Sequence, residues 1–406
     1  MAVVKFEDVA TRVNTKEDRN NTDLVYYVGG DHIDSESLKV SKRGIIKGAP
    51  LGPMFYFGFK PGDILFVTRN PHLRKCAMVD FAGICSEKTL VIATKDETVL
   101  CQKYLAGVMQ SDDFWDFLEE NKSGSVNYFI NWSTLAEYEF DLPPIEEQRA
   151  LAEKLWAAND LKEKYQHLLA ATDEMLKAKF REMFGECGVQ SAEGGVADRR
   201  GCGLVAFKDC YAKMLGGKTP SMSRPEFYGG KVPFIKSGDV RGDYLSNGAL
   251  WLSDTALKEG GAKYVPAGAV IVVVRSATLK NELRVAIAKN ELVINQDLKA
   301  FVPRDEFDSQ FLMHAIRLRT FELLSKVQTM VTSHLELSDL NQILIPKVPI
   351  CVQREFVAIA NAAEASKAEL KKSITSIDAV MKGLVNGRRS TICTATPSTS
   401  PISELR

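Results

Sequence analysis

The chain contains 406 residues, 45 % hydrophobic and 26 % charged, and its 52 basic and 52 acidic side chains leave no net charge. This size predicts two or three globular domains. The balanced charge argues against a protein that coats nucleic acid by charge alone, and no apolar run is long enough to cross a membrane. The N-terminal sequence lacks the basic-then-apolar order of a secretion signal, so we expect a cytoplasmic location.

Residues 1–142 predict a mixed α+β domain. Short apolar segments are separated by Gly, Pro, Asp and Asn, and FYFGFKPGDILFVT at 55–68 has the strongest strand pattern around a Pro-Gly turn. Helical sequence interrupts the strands, as in YLAGVMQSDDFWDFLEEN at 104–121. Both kinds of segment are short, which is typical of a compact α+β domain.

Residues 143–185 predict one long helix. Pro144 followed by Glu146 and Glu147 suits a helix start, because acidic side chains are favoured at the positive end of the helix dipole, and Gly185 suits its end. Residues at alternating four- and three-residue steps form a heptad seam: Leu151, Leu155, Ala158, Lys162, Tyr165, Leu169, Thr172 and Leu176. Such a seam predicts lengthwise packing against a second helix.

Residues 186–203 are a Gly-rich connector, after which the chain repeats itself. VKFEDVA at 4–10 returns as VAFKDCY at 205–211, and GDILFVTR at 62–69 returns as GAVIVVVR at 268–275. The offset between matching residues stays between 201 and 207 along the whole length, which indicates a tandem duplication. The repeat predicts a second domain at 204–345, a second long helix at 346–387 and a disordered tail at 388–406.

The second helix carries the same seam as the first. Its members are Phe356, Ala360, Ala363, Lys367, Leu370, Ile374, Ile377 and Met381. Lysines at the matching positions Lys162 and Lys367 favour a narrow, wet seam over a core. We therefore expect an α+β fold in which two tandem domains are separated by a long antiparallel two-helix coiled coil with internal pseudo-two-fold symmetry. The alternative is two amphipathic helices buried in separate globules.

No motif in the sequence predicts catalysis by this chain. GGKTP at 216–220 resembles the end of a phosphate loop, but Ala212 stands where that motif requires glycine, so a turn is expected. The Asn-Pro-Pro-aromatic tetrad of amino-methyltransferases does not occur. The five histidines have no metal-ligand spacing, and the eight cysteines include no C-x-x-C pair. We predict no catalytic residue, no metal site and no cofactor in this chain, and buried or incidental thiols.

Two sets of segments carry a resemblance to a known family. The first set is LPPIEEQR at 142–149 and IPKVPICVQR at 345–354, each ahead of a long helix. The second is GGKTPSMSRPEFYGGKVPFIKSGDV at 216–240 with NQDLKAFV at 295–302. In order and spacing these resemble the conserved regions and target recognition domains of type I restriction-modification specificity subunits, over residues 1–387. The chain departs from the pattern where the second copy loses one proline and its acidic pair, and where CSEKT replaces INQDL in the first domain.

The resemblance implies a non-catalytic subunit that binds double-stranded DNA at a bipartite, asymmetric target. It also implies two methyltransferase (modification) subunits that methylate adenine with S-adenosylmethionine, and restriction subunits that use ATP. S-adenosylmethionine, ATP and Mg would then belong to the partner subunits. The flipped adenine and its chemistry would also belong to the partner. Partners can supply much of the phosphate-binding charge, which agrees with the zero net charge.

Candidate DNA contacts follow from residue chemistry, because arginine suits guanine and small hydroxyls suit base edges or backbone. In the first domain they are Arg69, His72, Arg74 and Lys75, with the basic loop of Lys39, Lys42, Arg43 and Lys47 as a second choice. In the second domain they are Lys218, Thr219, Ser221, Arg224, Lys236, Ser237, Arg275, Ser276, Thr278, Lys280 and Arg284. For any one of them a solvated surface charge is the competing interpretation.

The repeated Pro-Ile and Gln-Arg segments are the candidate partner-binding sites. Their members are Pro144, Gln148, Arg149, Pro349, Gln353 and Arg354. Two other functions stay open at this point: a non-catalytic scaffold that binds other proteins through its two repeated domains, and a self-sufficient methyltransferase. A scaffold would show no sequence-dependent retention of DNA, and a self-sufficient methyltransferase would transfer methyl groups without a partner.

Overall fold

The structure, a computed structural model, describes residues 2–185, 203–329 and 333–387. The chain divides into two compact units, the first made of residues 1–168 and 370–406 and the second of residues 169–369. In the described ranges, no helix is both long and apolar enough to span a bilayer. The predicted connector at 186–203 and the predicted tail at 388–406 lie outside the described residues, except for Gly203.

The first unit contains ten strands and parts of two long helices among its described residues. In chain order its elements are β1 Ala2–Lys5, α1 Phe6–Val9, β2 Ala10–Val13, β3 Tyr26–Val28, β4 Gly44–Ile45, β5 Phe55–Phe59, β6 Ile64–Val67, β7 Cys76–Met78, β8 Gly83–Ser86, β9 Thr89–Thr94, α2 Gln102–Val108, α3 Asp112–Glu120, α4 Trp132–Ala136, β10 Glu139–Leu142 and the start of α5 Ile145–Phe184. Two four-stranded sheets form, in the orders β2-β9-β6-β7 and β4-β3-β8-β5, and β1 pairs with β10.

The second unit repeats this plan. Its elements are β11 Gly203–Ala206, β12 Tyr211–Gly216, β13 Tyr228–Ile235, β14 Tyr244–Leu245, β15 Leu250–Leu252, α6 Asp254–Lys258, β16 Tyr264–Val265, β17 Val270–Val273, β18 Val285–Ala288, β19 Leu292–Ile294, β20 Leu298–Pro303, α7 Ser309–Leu318, α8 Thr320–Ser325, β21 Gln328–Thr329, β22 Ser333–His334, α9 Leu337–Gln342, β23 Leu344–Lys347 and the start of α10 Ile350–Asn386. The larger sheets have the orders β12-β20-β17-β18-β14 and β15-β13-β19-β16, while β11 pairs with β23 and β21 with β22.

The central strand of each unit is apolar on both faces. All four residues of β6, and all four of β17, are buried. A continuous apolar run is what a strand covered on both faces requires, whereas a half-exposed strand alternates. The helices α2 and α3 in the first unit, and α7 in the second, supply part of the cover, with Phe114 and Phe311 fully buried.

The long helices pair within each unit. In the first unit Lys162 Nζ of α5 lies 2.6 Å from Asp378 Oδ1 of α10, and in the second Lys367 Nζ of α10 lies 2.6 Å from Asp173 Oδ1 of α5. In the second unit the Phe184 ring, further along α5, contacts Phe356, earlier on α10, so the helices run antiparallel. Every predicted seam residue of both helices is buried or half-buried.

The predicted fold class is therefore confirmed: mixed helix and sheet, two domains, and long helices in an antiparallel coiled coil. Each unit contains parts of both long helices, which excludes the alternative of one helix buried in each globule. The five cysteines described are all unpaired, and Cys76, Cys85 and Cys210 are buried, as expected for structural thiols.

Candidate nucleic-acid interface

Several candidate contacts of the second unit meet where β19 ends. The backbone N–H of Asn295 donates to the Ile235 carbonyl at 3.0 Å, and the N–H of Lys218 donates to the Ile294 carbonyl at 3.2 Å. The Thr219 hydroxyl then donates to Oε1 of Gln296 at 2.7 Å. Gly217 allows this approach, because a Cβ at that position would overlap the Ile294 and Asn295 carbonyls.

The other side of the same segment holds the loop after β17. The Asp297 carbonyl accepts from the N–H of Val274 at 2.9 Å and of Arg275 at 3.2 Å, and the N–H of Ser276 donates to the Ser333 carbonyl at 3.1 Å. Backbone hydrogen bonds thus bring together three loops that are distant in sequence. We call this group the second polar edge; its members are Lys218, Thr219, Lys236, Arg275, Ser276 and Gln296.

The second polar edge has cations that no carboxylate neutralises. In the described part of the chain its cations Lys218, Lys236 and Arg275 make no ion pair, and only Lys236 is half-buried while the other two are exposed. Lys280, outside this edge, is likewise exposed and without an ion pair there. An exposed arginine or lysine without an acidic partner is free to bind phosphate or a base edge. The edge therefore has the chemistry that the sequence predicts for DNA contact.

Other candidates of the second unit are already engaged. Arg224 donates to Glu226 at 2.7 Å and to Glu259 at 2.8 Å while its guanidinium lies 4.2 Å from the centroid of the Phe227 ring. Arg284 pairs with Glu282 at 2.9 Å. Hydroxyls are paired as well, Ser221 with Ser223 at 2.8 Å and Thr278 with Ser276 at 3.0 Å. Ser237 is half-buried in a short turn next to Lys236.

Two buried polar atoms beneath the second polar edge lack hydrogen-bond partners. Asn295 is 5 % exposed; its Nδ2 donates to Asp297 at 2.8 Å, but its Oδ1 accepts nothing. Ser333 is 2 % exposed, and its Oγ is also unpaired. Each such group costs roughly 1–3 kcal/mol of desolvation. In native proteins such groups usually have a reason, which can be an ordered water, strain or a functional role.

The first unit builds the same corner from different residues. The Lys88 carbonyl accepts from the N–H of Thr68 at 2.9 Å, just as the Asp297 carbonyl accepts from the N–H of Val274 in the second unit. Arg69 comes directly after Thr68, as Arg275 comes directly after Val274. The residue in the place of Gln296 is Glu87, whose carboxylate accepts from Tyr56 at 3.2 Å and pairs with Lys88 at 2.9 Å. We call Arg69, His72, Lys75, Glu87 and Lys88 the first polar edge.

His72 is presented by a strained turn. It is exposed in a single turn, Pro71–Leu73, between Asn70 with φ 54° and Arg74 with φ 48°. Both flanking residues are left-handed, a conformation that costs a non-glycine residue about 1 kcal/mol or more. Nearby, the Lys75 ammonium donates to the Gly30 carbonyl at 2.8 Å, and the Arg69 guanidinium lies 5.2 Å from the centroid of the Phe129 ring.

Arg74 and part of the basic loop have internal roles. Arg74 donates to Asp112 at 2.6 Å and to Glu36 at 3.4 Å, and this guanidinium is the main reason that the pKa of Asp112 is below its usual value. The loop residues are also engaged: Lys42 pairs with Asp34 at 2.6 Å, Lys39 pairs with Asp80 at 3.1 Å, and Arg43 stacks on Tyr26 and Phe81, whereas Lys47 is exposed. These partners make Arg74 and Lys42 weaker candidates than Arg69 and His72.

The glutamines of the repeated segments are inside the protein. Gln148 is fully buried; its Oε1 accepts from the N–H of Cys101 at 2.9 Å, and its Nε2 donates to the carbonyls of Val99 and Pro143. Gln353 is bonded in the same way in the second unit. Because both amides are satisfied and inaccessible, they offer a partner no surface.

The other four members of the partner-binding prediction are exposed. They are Pro144, Arg149, Pro349 and Arg354. Arg149 pairs with Glu146 of its own helix at 3.2 Å, and Arg354 has no ion pair among the described residues. A partner that docks at the start of either long helix would therefore meet a proline and an arginine.

Gln296 and Glu87 are not among the candidate contacts predicted from sequence. The signal was present, because CSEKT stands in the first domain where INQDL stands in the second. In the structure, these two segments lie at the centres of the first and second polar edges.

Comparison with known proteins gives one family-model match. Residues 210–377 match the type I restriction modification DNA specificity domain. Among curated relatives, the specificity subunit of the type I restriction enzyme EcoR124I/EcoR124II of Escherichia coli is 30 % identical over 113 residues, 28 % of each chain. The HindI specificity subunit of Haemophilus influenzae is 25 % identical over 198 residues, 46 % of this chain and 42 % of that protein. These alignments span less than half of the relatives' own length.

Solved structures show the same fold over nearly the whole chain. A chain from a study of complex assembly and conformational transition of the type I R-M system has 21 % identity and a TM-score of 0.55, covering 95 % of this chain and 96 % of that one. The S subunit of a type I restriction-modification system from M. genitalium has 12 % identity and a TM-score of 0.56, covering 95 % and 94 %.

Proposed function

We propose that the chain is a type I restriction-modification specificity subunit and that it binds DNA at a bipartite, asymmetric target. Each unit reads one half of that target through its polar edge. The chain itself carries out no methylation or cleavage. The alternative of a protein-binding scaffold requires no cationic edge and is the less favoured function.

The observation that carries the proposal is the convergence of candidate contacts around Asn295–Asp297. Lys218, Arg275 and Gln296 come from three separate loops and are held by backbone hydrogen bonds. All three lie within residues 210–377, which match the specificity domain. An arginine is the commonest reader of guanine, a glutamine amide can pair with adenine, and lysines position the protein on phosphates.

The first polar edge supports an asymmetric target. It offers Arg69 and His72 as donors and Glu87 as an acceptor in the place of Gln296. A carboxylate accepts from the cytosine amino group, whereas a glutamine amide suits adenine. Two edges with different donors and acceptors would recognise two different half-sites.

The proposal includes partners that supply the chemistry. Two methyltransferase subunits dock near the starts of the long helices, where Arg149 and Arg354 are exposed at equivalent positions. S-adenosylmethionine, with ATP and Mg for restriction subunits, binds to those partners and not to this chain. The cytoplasmic location expected from the sequence remains a prediction.

A selection experiment tests the proposal. The chain, reconstituted with its methyltransferase subunit, is incubated with random duplex DNA, and the retained DNA is sequenced. We expect enrichment of two short sequences at a fixed separation. Arg275→Ala should remove the preference in one of them only, because Arg275 belongs to one edge. The matched control is Arg319→Ala, an exposed arginine of the same unit that bonds to the Leu344 carbonyl and should leave both sequences enriched.

Two outcomes of this experiment would contradict the proposal. Retention without any sequence preference would favour the scaffold function. Transfer of a labelled methyl group from S-adenosylmethionine to DNA by the purified chain alone would show that it is an enzyme in its own right.

A further inference from the structure

A short β-hairpin borders the first polar edge; we call residues 123–129 the edge hairpin. The backbones of Ser123 and Phe129 exchange two hydrogen bonds, at 2.9 and 3.0 Å, across the loop of residues 124–128. Gly124 begins this loop with φ 100°, and a Cβ at its position would lie 2.7 Å from the Asn127 carbonyl oxygen. The loop therefore requires glycine there and has a defined shape.

The edge hairpin is attached to the strand end that carries Arg69. The N–H of Asn70 donates to the Tyr128 carbonyl at 3.2 Å, and the N–H of Ile130 donates to the Thr68 carbonyl at 2.9 Å. These two bonds lie on either side of Arg69 in the sequence. A ligand that Arg69 contacts therefore has the hairpin beside it.

The second unit attaches a hairpin in the same way. The N–H of Ser276 donates to the Ser333 carbonyl at 3.1 Å, and the N–H of Leu335 donates to the Val274 carbonyl at 2.9 Å. The side chains differ, because the exposed Tyr128 of the first unit stands where the buried Ser333 stands in the second. A hairpin is thus a common part of both polar edges, and its side chains differ between the units.

The tip of the edge hairpin has side chains that suit bases rather than phosphates. Ser125, Val126 and Asn127 are exposed, Val126 to 85 %, and none of the three is charged. A hydroxyl can bond to a base edge, an amide can pair with adenine, and an apolar side chain can contact the 5-methyl group of thymine. A single exposed apolar residue is common on protein surfaces. Val126 is distinguished by its place at the tip of a shaped loop beside a cationic edge.

The charge and size of the edge hairpin fit the major groove of DNA. Residues 121–136 contain no Asp or Glu that would repel phosphates. The major groove is about 12 Å wide and about 8.5 Å deep, and it admits a two-stranded β-ribbon. The three residues from Ser123 to Val126 extend by up to about 10 Å, at about 3.3 Å each. The tip can therefore reach the base edges.

We propose that the edge hairpin enters the major groove of the first half-site, where Val126 contacts the 5-methyl group of a thymine. This contact rests on the proposed function and deepens it, because it adds a base-reading residue outside the set predicted from sequence. The minor groove presents no methyl group, so the contact also determines which groove the first unit reads. The first half-site must then contain thymine.

Removal of single methyl groups from the DNA tests the proposal. The chain in complex with its methyltransferase subunit is first used to select duplexes, and the first half-site is the one that stays enriched with Arg275→Ala. Each thymine of that half-site is then replaced in turn by deoxyuridine, which lacks only the 5-methyl group. We expect one of these replacements to weaken binding about three- to fivefold in a titration, as the loss of one buried methyl contact predicts.

The variant Val126→Ser removes the apolar side chain from an exposed position. We expect it to bind the thymine duplex about three- to fivefold more weakly than the unmodified chain and to be insensitive to the same deoxyuridine replacement, because the two changes remove one contact. Gly124→Ala should also lose this sensitivity, since the tip is displaced. The matched control is Val3→Ser, an exposed valine of β1 in the same unit, which should keep both the affinity and the sensitivity.

The outcomes separate this contact from the proposed function. If the unmodified complex enriches no duplex sequence, the proposed function is wrong and the contact is excluded with it. If two half-sites are enriched, the contact alone is overturned when the first contains no thymine, when no replacement weakens binding, or when Val126→Ser stays fully sensitive. Loss of bound methyltransferase subunit from Val126→Ser in native mass spectrometry would place the edge hairpin at a protein interface and would equally overturn the contact.

Discussion

The buried glutamine at the start of each long helix makes the same three hydrogen bonds in both units, whereas the polar edges share only their backbone. Gln148 and Gln353 each accept one N–H and donate to two carbonyls, and Lys162–Asp378 is matched by Lys367–Asp173. At the edges, Glu87 stands where Gln296 stands, and Lys88 where Asp297 stands. The glutamines at the helix starts and the seam ion pairs are thus the same in both units, whereas the polar edges differ.

This comparison predicts equal damage from equivalent glutamine substitutions. Gln353→Leu removes three hydrogen bonds, with the N–H of Asp308 and the carbonyls of Glu306 and Val348, so it should lower the stability of the second unit by roughly 2–4 kcal/mol. Gln148→Leu should do the same to the first. Hydrogen exchange of peptides from each unit in increasing urea measures both. The exposed neighbour Arg354→Ala is the control, and a loss below about 1 kcal/mol for either glutamine would contradict the account.

Acid should break the equivalence of the two units. The pKa of His314 is lowered from 6.5 to about 4, mainly by burial and next by the charge of Arg317. Asp243 raises this pKa by less, and Lys367 lowers it slightly. The position equivalent to His314 is Gly107. Between pH 6.5 and about 4, the His314 imidazole binds a proton in the unfolded state but not in the folded state. The folded second unit is therefore most stable above pH 6.5, and it loses up to roughly 3 kcal/mol of stability as the pH falls to about 4.

Hydrogen exchange in urea, measured at pH 7 and at pH 4.5, checks this loss of stability. Peptides of the second unit should lose protection more than those of the first, and His314→Leu should remove the difference. An unchanged pH dependence in that variant would show that other groups of the second unit are responsible.

The equivalent arginines should contribute equally to partner binding. Charge reversal of Arg149 and Arg354 together should weaken binding of two methyltransferase subunits about tenfold, because exposed charges at an interface guide association more than they stabilise it. Native mass spectrometry of the reconstituted complex measures the bound fraction. Reversing Lys177 and Lys382, another equivalent pair of exposed charges, is the control. Undiminished complex in the arginine variant would mean that the partner docks elsewhere.

The ion pairs Lys367–Asp173 and Lys162–Asp378 should contribute slightly different amounts to stability. Lys367 has a side chain only 13 % exposed, against 25 % for Lys162. Burial lowers the pKa of Lys367, but its hydrogen bonds to Asp173 and Glu364 together raise it. Asp173→Asn should therefore destabilise the second unit by about 1 kcal/mol, and Asp378→Asn the first unit by about half as much. Urea unfolding followed by hydrogen exchange measures both, and the reverse order would contradict the burial argument.

The sequence was sufficient for the parts of the fold that periodicity and repetition encode. The heptad seams predicted the paired helices, and the constant offset predicted two similar units. It was insufficient for Arg74, Arg224 and Gln148, because a cation or amide that pairs inside the fold has the same sequence pattern as one that faces a ligand. Only the partners Asp112, Glu226 and Cys101, which are 38, 2 and 47 residues away, distinguish the two cases.

The most direct test of the account is to exchange one unit's recognition surface and map the DNA sites that are modified. Residues 204–345 are replaced by the corresponding domain of another family member, and the chain is expressed in a cell with its methyltransferase subunit. Sequencing of methylated adenines then gives the target. The account predicts that one half of the target changes while the other half stays as it was. A change in both halves, or in neither, would contradict independent reading by the two units.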